Sequence, residues 1–162
     1  MTFIVGLDVS PLRIGWSILH QTEGIQDKGT IHFHKEEWVT PGRRWEAMEE
    51  RFEKWMNSDV HIVGLEAVFV GPNKLGSIRA AMALGQVEMI ADNFWPDARQ
   101  KILTAAQWRS LCGIEGGGKV PVMEWATRFC DEGGWDAPAD QDEADALAIA
   151  HAAEQWWLAQ NA

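Results

Sequence analysis

The sequence predicts an α/β fold whose five-stranded mixed sheet is flanked by helices, with three antiparallel strands coming first. Three short β-rich runs open the chain and are separated by turn-like breaks, which is the pattern of an antiparallel meander. Helical patterns then alternate with two more strand-like runs, an order typical of layered domains. With 162 residues, 46% of them hydrophobic, we expect one domain spanning residues 1–162 with an ordinary core.

The individual elements follow from apolar spacing. The predicted strands cover residues 2–10, 13–20, 29–34, 60–70 and 99–105. The fourth run, VHIVGLEAVFV, is almost wholly apolar, which is typical of a strand buried on both faces. The predicted helices have apolar residues at helical spacing or are rich in alanine and leucine, and they cover residues 45–57, 75–95, 105–113, 120–134 and 140–157.

Composition excludes several classes of protein. No apolar run approaches the roughly 18 residues that span a membrane, and the N-terminal segment lacks the basic start and long apolar region of a secretory signal. Cys112 and Cys130 have neither CxxC spacing nor a zinc-type Cys/His pairing. We therefore expect two free thiols in a reducing compartment, the cytoplasm, and no membrane partner.

The distribution of charge leaves a nucleic-acid partner open. The net charge of −10 argues against one, because phosphate binding needs clustered Lys and Arg. However, basic residues slightly outnumber acidic ones between residues 60 and 130, whereas the segment from residue 131 onward is acidic and has no Lys or Arg. A locally basic surface in the middle of the chain is compatible with this distribution.

Four carboxylates occupy positions that suit a catalytic site. Asp8 lies near the end of the first strand, and Glu66 lies in the middle of the apolar fourth strand. Asp142 and Asp145 are three apart at the start of the last helix and share one face of it, whereas Glu143 points away. Sites in such sheets form at strand ends, and the small side chains of the last helix would bring its two acids over those ends.

Converging carboxylates repel one another, so a cation is expected among them. An all-oxygen site suits Mg²⁺, for which Mn²⁺ can substitute, and two such ions about 4 Å apart are recurrent in nucleases. Taken singly, Asp8 could be a turn residue and the helix acids could be caps or dipole partners. Glu66 is the hardest to explain in that way, because burying an ionised Glu among apolar residues is costly unless it is paired.

Four motifs carry a resemblance that covers the chain from about residue 3 to residue 155. They are IVGLDVSPLRIGWSIL with Asp8, HIVGLEAVFVGPN with Glu66, LGQVEMIA, and DEADALAIAHA with Asp142 and Asp145. In order and spacing they resemble the RuvC family of Holliday junction resolvases, which have a ribonuclease H-like fold. The first motif alone is weak, since actin-like ATPases have similar openings. The last motif together with Asp8 and Glu66 is specific.

The resemblance implies a homodimer that cuts four-way DNA junctions, each subunit hydrolysing one phosphodiester bond with Mg²⁺. Asp8, Glu66, Asp142 and Asp145 match the family's metal-binding acids. Lys119, after the glycine run, matches a Lys beside the scissile phosphate, and a cation there would stabilise developing charge. The remaining expected DNA contacts are Arg109, where the family typically has Lys, Phe69, which matches an aromatic residue at the junction centre, and the basic Lys74 and Arg79.

Alternatives remain at this point. For Phe69, a core position is as plausible as a base contact. A broader nuclease of forks, three-way junctions or RNA-containing substrates is the main rival, because fold analogy does not fix the substrate. Sugar kinases and actin-like ATPases need two such domains, which we do not expect in 162 residues. A non-cleaving junction binder would be expected to lack one of the acids. No sequence feature assigns or excludes a branch-migration motor as a partner.

Overall fold

The computed structural model describes residues 2–34 and 39–162. In this part of the chain there are five β-strands, five α-helices and one 3₁₀ helix. In chain order they are β1 (Phe3–Val9), β2 (Arg13–His20), β3 (Gly24–His32), α1 (Pro41–Phe52), the 3₁₀ helix (Glu53–Trp55), β4 (Val60–Glu66), α2 (Lys74–Phe94), β5 (Arg99–Leu103), α3 (Ala105–Leu111), α4 (Val120–Gly133) and α5 (Gln141–Asn161).

The strands form one mixed sheet in the order β3-β2-β1-β4-β5. Strands β1, β2 and β3 are antiparallel neighbours, whereas β4 is parallel to both β1 and β5. The predicted fold class, with three antiparallel strands first, is confirmed. Because β1 and β4 are parallel and central, their carboxyl ends meet at the same edge of the sheet.

Each face of the sheet is covered by helices, so the two sets of alternating strand side chains enter two cores. One core contains Leu7 and Leu65 and is closed by α1 and α2 through residues such as Met48 and Val87. The other contains Ile4 and Ile62 and lies under α3, α4 and α5. Tryptophans contribute to both cores, since Trp16 belongs to the first and Trp108 to the second.

Helix α5 lies almost on the backbone of the sheet because glycines stand beneath it. A Cβ atom added at Gly6 would lie 2.2 Å from the carbonyl oxygen of Ala146, and one added at Gly15 would lie 2.1 Å from that of Asp142. No side chain fits in that space. The close approach fixes the first turn of α5 over β1 and the start of β2.

The predicted bounds of the third and fourth strands differ most from the structure. The third strand begins at Gly24 instead of residue 29 and ends at His32 instead of residue 34. The fourth strand ends at Glu66, four residues before its predicted end, so Glu66 is the last residue of β4 and not its middle. The last ladder pair between β4 and β5 is Glu66 with Leu103, and β5 ends there. Residues 68–70 consequently have no neighbouring strand to pair with on that side and leave the sheet.

The helices correspond closely to the prediction. The first begins at Pro41, four residues earlier than expected, because the Thr40 side chain caps it by accepting a hydrogen bond from the Arg43 backbone N–H. The last runs to Asn161. None of the helices in the described ranges is long and apolar enough to cross a membrane.

Candidate active site

Asp8 and Glu66 lie side by side at the carboxyl ends of the two central parallel strands. Leu7 of β1 pairs with Leu65 of β4, so each carboxylate comes one residue later on its own strand. The preceding leucines both point into the core under α1 and α2. Since side chains alternate along a strand, Asp8 and Glu66 point to the opposite face, which α5 covers.

The acids at the start of α5 divide into two pairs with different roles. Asp140 caps the helix by accepting a hydrogen bond from the Glu143 backbone N–H at 2.8 Å. Glu143 is buried in an ion pair with Lys28 at 3.1 Å and also accepts a hydrogen bond from the Ala139 backbone N–H. These two acids therefore hold the helix in place. Asp142 and Asp145 take no part in these contacts.

Asp142 and Asp145 each contact one neighbouring donor. The Arg13 guanidinium, at the start of β2, lies 3.1 Å from the Asp142 carboxylate. The Gln141 side-chain amide donates a hydrogen bond of 2.7 Å to Asp145. The contact with Asp142 comes from strand β2, whereas the contact with Asp145 comes from the same helix, α5.

The four carboxylates lie close enough for their charges to interact. Burial and then the negative charges of Asp145, Glu66 and Asp142 raise the pKa of Asp8 well above its ordinary value. Burial and the charge of Asp145 raise the pKa of Glu66 to about 6. Burial raises the pKa of Asp145 as well, and Asp142 adds to that effect. Burial is the largest cause of each of these shifts, and repulsion between the carboxylates adds to it.

Two basic side chains approach the same cluster, Arg109 from helix α3 and Lys119 from the end of the loop between α3 and α4. Lys119 precedes the first residue of α4 and follows Gly116 and Gly118, both of which have φ of +84°. Arg109 donates hydrogen bonds to the carbonyl oxygens of these two glycines, at 3.0 Å and 2.6 Å. The charges of Arg109 and Lys119 both lower the pKa of Asp145. Arg109 therefore holds the loop that presents Lys119.

The remaining predicted site residues lie on the surface that follows Glu66. Phe69 is 86% exposed, which excludes a core position for it. Lys74 begins α2, and Arg79 lies about one turn later; both are exposed. They belong to the segment next to the carboxylates in sequence, but the structure does not bring them into the carboxylate cluster itself.

Comparison with solved structures identifies the fold. A Thermus thermophilus RuvC structure superposes with a TM-score of 0.76 at 17% identity, covering 98% of this chain and 96% of that chain. A structure of T. thermophilus RuvC in complex with Holliday junction substrate superposes with a TM-score of 0.74 at 16% identity and the same coverage. The fold of this chain is the RuvC fold. No protein-family model and no curated protein sequence matches the chain significantly.

On this RuvC fold the carboxylates fit a divalent cation chemically, although they are not arranged as a finished metal cage. Among residues 2–34 and 39–162, no three His, Cys, Asp or Glu side chains are placed so that one ion would fit between them. The donor set is nevertheless all oxygen, as Mg²⁺ and Mn²⁺ prefer. Burial, followed by mutual repulsion, raises the pKa values of Asp8 and Glu66, and a nearby cation would favour their ionised forms.

Three residues of the site were missed by sequence reasoning. Arg13 follows Asp8 by five residues, but only the tertiary structure shows that it reaches Asp142. Gln141 stands four residues before Asp145, a helical spacing that could have indicated the contact. The Trp108 indole N–H lowers the pKa of Glu66, yet it makes no hydrogen bond of normal geometry within the described residues.

Proposed function

We propose that the protein is a structure-selective DNA endonuclease that resolves four-way (Holliday) junctions by paired, Mg²⁺-dependent phosphodiester hydrolysis. Residues 1–162 would act as one ribonuclease H-like nuclease domain. The observation that supports this best is the cluster of four mutually repelling carboxylates at the ends of β1 and β4 and the start of α5. It lies on a fold shared with a RuvC structure that holds a Holliday junction substrate.

The residues of the cluster have distinct roles in this proposal. Asp8, Glu66, Asp142 and Asp145 would hold the divalent cation, which when bound activates water and stabilises the leaving oxygen. Lys119 would stabilise the charge that develops on the scissile phosphate. Arg109 would keep the glycine loop in shape, because its guanidinium joins two alternate carbonyls of that loop.

DNA binding has to overcome a net charge of −10. Phe69 and Val70 form an exposed apolar tip directly after the catalytic strand, with 86% and 78% exposure. An exposed aromatic side chain is suited to stack on bases, and the proposed contact is with bases at the centre of the junction. Lys74 and Arg79 follow at the start of α2 and would contact phosphates.

A homodimer is part of the proposal, and helix α2 is its expected interface. Four large apolar side chains on this helix are between 47% and 58% exposed: Leu75, Ile78, Met82 and Met89. Their spacing of three, four and seven residues places them on one stripe, with Gly85 between the last two. A Cβ atom at Gly85 would meet nothing within 4 Å, so a second helix could approach closely there. A two-fold dimer would present two sites to the two equivalent strands of a junction.

Replacing the stripe with charge is expected to separate the subunits. Ile78→Asp combined with Met82→Asp places carboxylates in an interface that otherwise excludes water, so sedimentation should change from a dimer to a monomer at micromolar concentration. Paired cleavage of junctions should be lost with the dimer. Leu158→Asp, on the exposed surface of α5, is the control and should remain dimeric. A wild-type monomer, with or without junction DNA, would contradict the proposed assembly.

Substrate choice tests the proposed function directly. The purified protein is incubated with Mg²⁺ and labelled four-way, three-way, forked and linear duplex DNA and with an RNA–DNA hybrid. We expect four-way junctions to be cut fastest, with symmetric nicks on two opposing strands. Equal cutting of forks or three-way junctions, or faster cutting of the hybrid, would instead establish the broader nuclease, which the small number of basic residues near Phe69 would suit.

A further inference from the structure

The contact between Arg13 and Asp142 is an ion pair inside the proposed metal site, and the inference drawn from it rests on that site. The Arg13 Nη1 atom lies 3.1 Å from Oδ2 of Asp142. The Asp142 side chain is only 15% exposed, whereas that of Arg13 is 51% exposed. The Asp142 carboxylate is thus held within the protein, and the Arg13 guanidinium contacts it from the solvent side.

The backbone of Arg13 is fixed, so the guanidinium is directed at Asp142 by the fold. The Ser10 backbone N–H donates to the Arg13 carbonyl at 2.9 Å, and the Arg13 backbone N–H donates to the Ser10 hydroxyl at 3.0 Å. The buried Arg44 supports the same turn by donating to the Pro11 carbonyl at 2.6 Å. On the opposite side, Gly15 lets the first turn of α5 rest directly on β2.

The charge of Arg13 acts on more than one of the proposed metal ligands. Besides forming the ion pair with Asp142, the guanidinium lowers the pKa of Asp8, against the larger raising effect of burial and of the neighbouring carboxylates. A guanidinium remains protonated at every pH that a protein tolerates, so deprotonation cannot release Asp142 from it. Only displacement by another cation, or movement of the side chain into solvent, frees the carboxylate.

We propose that Arg13 is an internal cation that pairs with Asp142 in the metal-free protein and competes with divalent metal for that carboxylate. The pair offsets part of the repulsion within the cluster while no metal is bound. Binding of metal then requires the half-exposed guanidinium to leave Asp142. Arg13 is in this sense a positioning residue of the site, and it sets how tightly the metal binds.

Competition of this kind is measurable without DNA. Mn²⁺ is titrated into the wild type, Arg13→Gln and Arg99→Gln, and its dissociation constant is measured by calorimetry. Arg99→Gln is the matched control, because it changes the net charge equally at an exposed position on β5. Arg13→Gln should bind Mn²⁺ about three- to tenfold more tightly than the control, the range expected when a partly exposed ion pair and its repulsion of the metal are removed.

Thermal unfolding provides a second readout. A variant that had merely lost structure would not show the pattern expected for Arg13→Gln. Without metal, Arg13→Gln should melt at a lower temperature than the control, because Asp142 has lost its counterion. Saturating Mn²⁺ should raise its melting temperature by more than it raises that of the control, since ligand binding to the native state stabilises it in proportion to affinity. Arg13→Lys, which keeps a cation, should fall between wild type and Arg13→Gln in Mn²⁺ affinity.

The outcomes separate this inference from the proposed function. If Arg13→Gln and Arg99→Gln bind Mn²⁺ equally, or if Arg13→Gln binds it more weakly, Arg13 does not compete with metal for Asp142. That result would not affect the proposal that the protein cuts junctions. If Arg13→Gln binds Mn²⁺ more tightly but no variant cuts junctions, the competition stands and the resolvase assignment falls. If no variant binds Mn²⁺ at millimolar concentration, both are wrong.

Discussion

Replacing any one of the four clustered carboxylates by its amide is expected to abolish junction cleavage and to leave junction binding intact or tighter. The four variants are Asp8→Asn, Glu66→Gln, Asp142→Asn and Asp145→Asn. Each acid would hold the cation needed for catalysis, and each also repels the phosphates of DNA. Losing one acid therefore removes chemistry and repulsion together. Cleavage with Mg²⁺ and binding without it, measured on the same four-way junction, separate these two effects.

Stability gives this experiment an internal check. A carboxyl whose pKa is raised in the folded state is destabilising when ionised, and the cost grows as pH rises from the unfolded pKa to the folded one. For Glu66 that window runs from 4.5 to about 6, so at neutral pH the cost is fully present. Glu66→Gln should therefore melt no lower than the metal-free wild type at pH 7.5. Its inactivity would not be caused by unfolding.

The choice of control matters because the acids at the start of α5 are not equivalent. Glu143 is buried and paired with Lys28, so Glu143→Gln would leave a largely buried ammonium group without its counterion and is expected to destabilise the protein. Asp131→Asn, at an exposed position on α4, is the better control and should keep wild-type activity. Any of the four amide variants that retained full Mg²⁺-dependent cleavage would remove that residue from the site.

Much of the site could be predicted because it depends on sheet geometry. Parallel strands end at a common edge, and side chains alternate along them, so a carboxylate at the end of each central strand is brought to one face. The alanine-rich last helix can pack closely on the sheet wherever glycines in the strands leave room for it. Gly6 and Gly15 provide that space, and the helix is thereby fixed with Asp142 above the strand ends.

The parts that could not be predicted depend on partners distant in the chain. The sequence predicts that the fourth strand continues to residue 70, and only the end of β5 at Leu103 shows why residues 68–70 leave the sheet. Helical spacing placed Glu143 off the face of Asp142, but its partner Lys28 stands 115 residues away in sequence. In the same way, nothing in the sequence around Arg109 indicates that its guanidinium binds two loop carbonyls.

Lys119→Ala is expected to slow cleavage of bound junction by roughly 10²-fold or more, the usual cost of removing a group that stabilises transition-state charge. Junction affinity should fall only modestly, with the salt dependence of binding reduced by about one phosphate contact. Lys119 stands at the start of α4, an unfavourable place for a cation against the helix dipole. That cost is understandable if the ammonium group has an anionic partner in the complex.

Arg109 provides the comparison that distinguishes a direct contact of Lys119 with phosphate from an indirect effect through the conformation of the loop. Arg109→Lys keeps the positive charge but cannot join the Gly116 and Gly118 carbonyls, so the loop should loosen and hydrogen exchange at residues 113–119 should increase. Its single-turnover rate at saturating enzyme should fall, because Lys119 is held less firmly. Lys119→Ala, by contrast, should leave loop exchange unchanged while cleavage slows. If Lys119→Ala cuts saturated junction at the wild-type rate, Lys119 is an ordinary solvated residue and its assignment to the scissile phosphate is wrong.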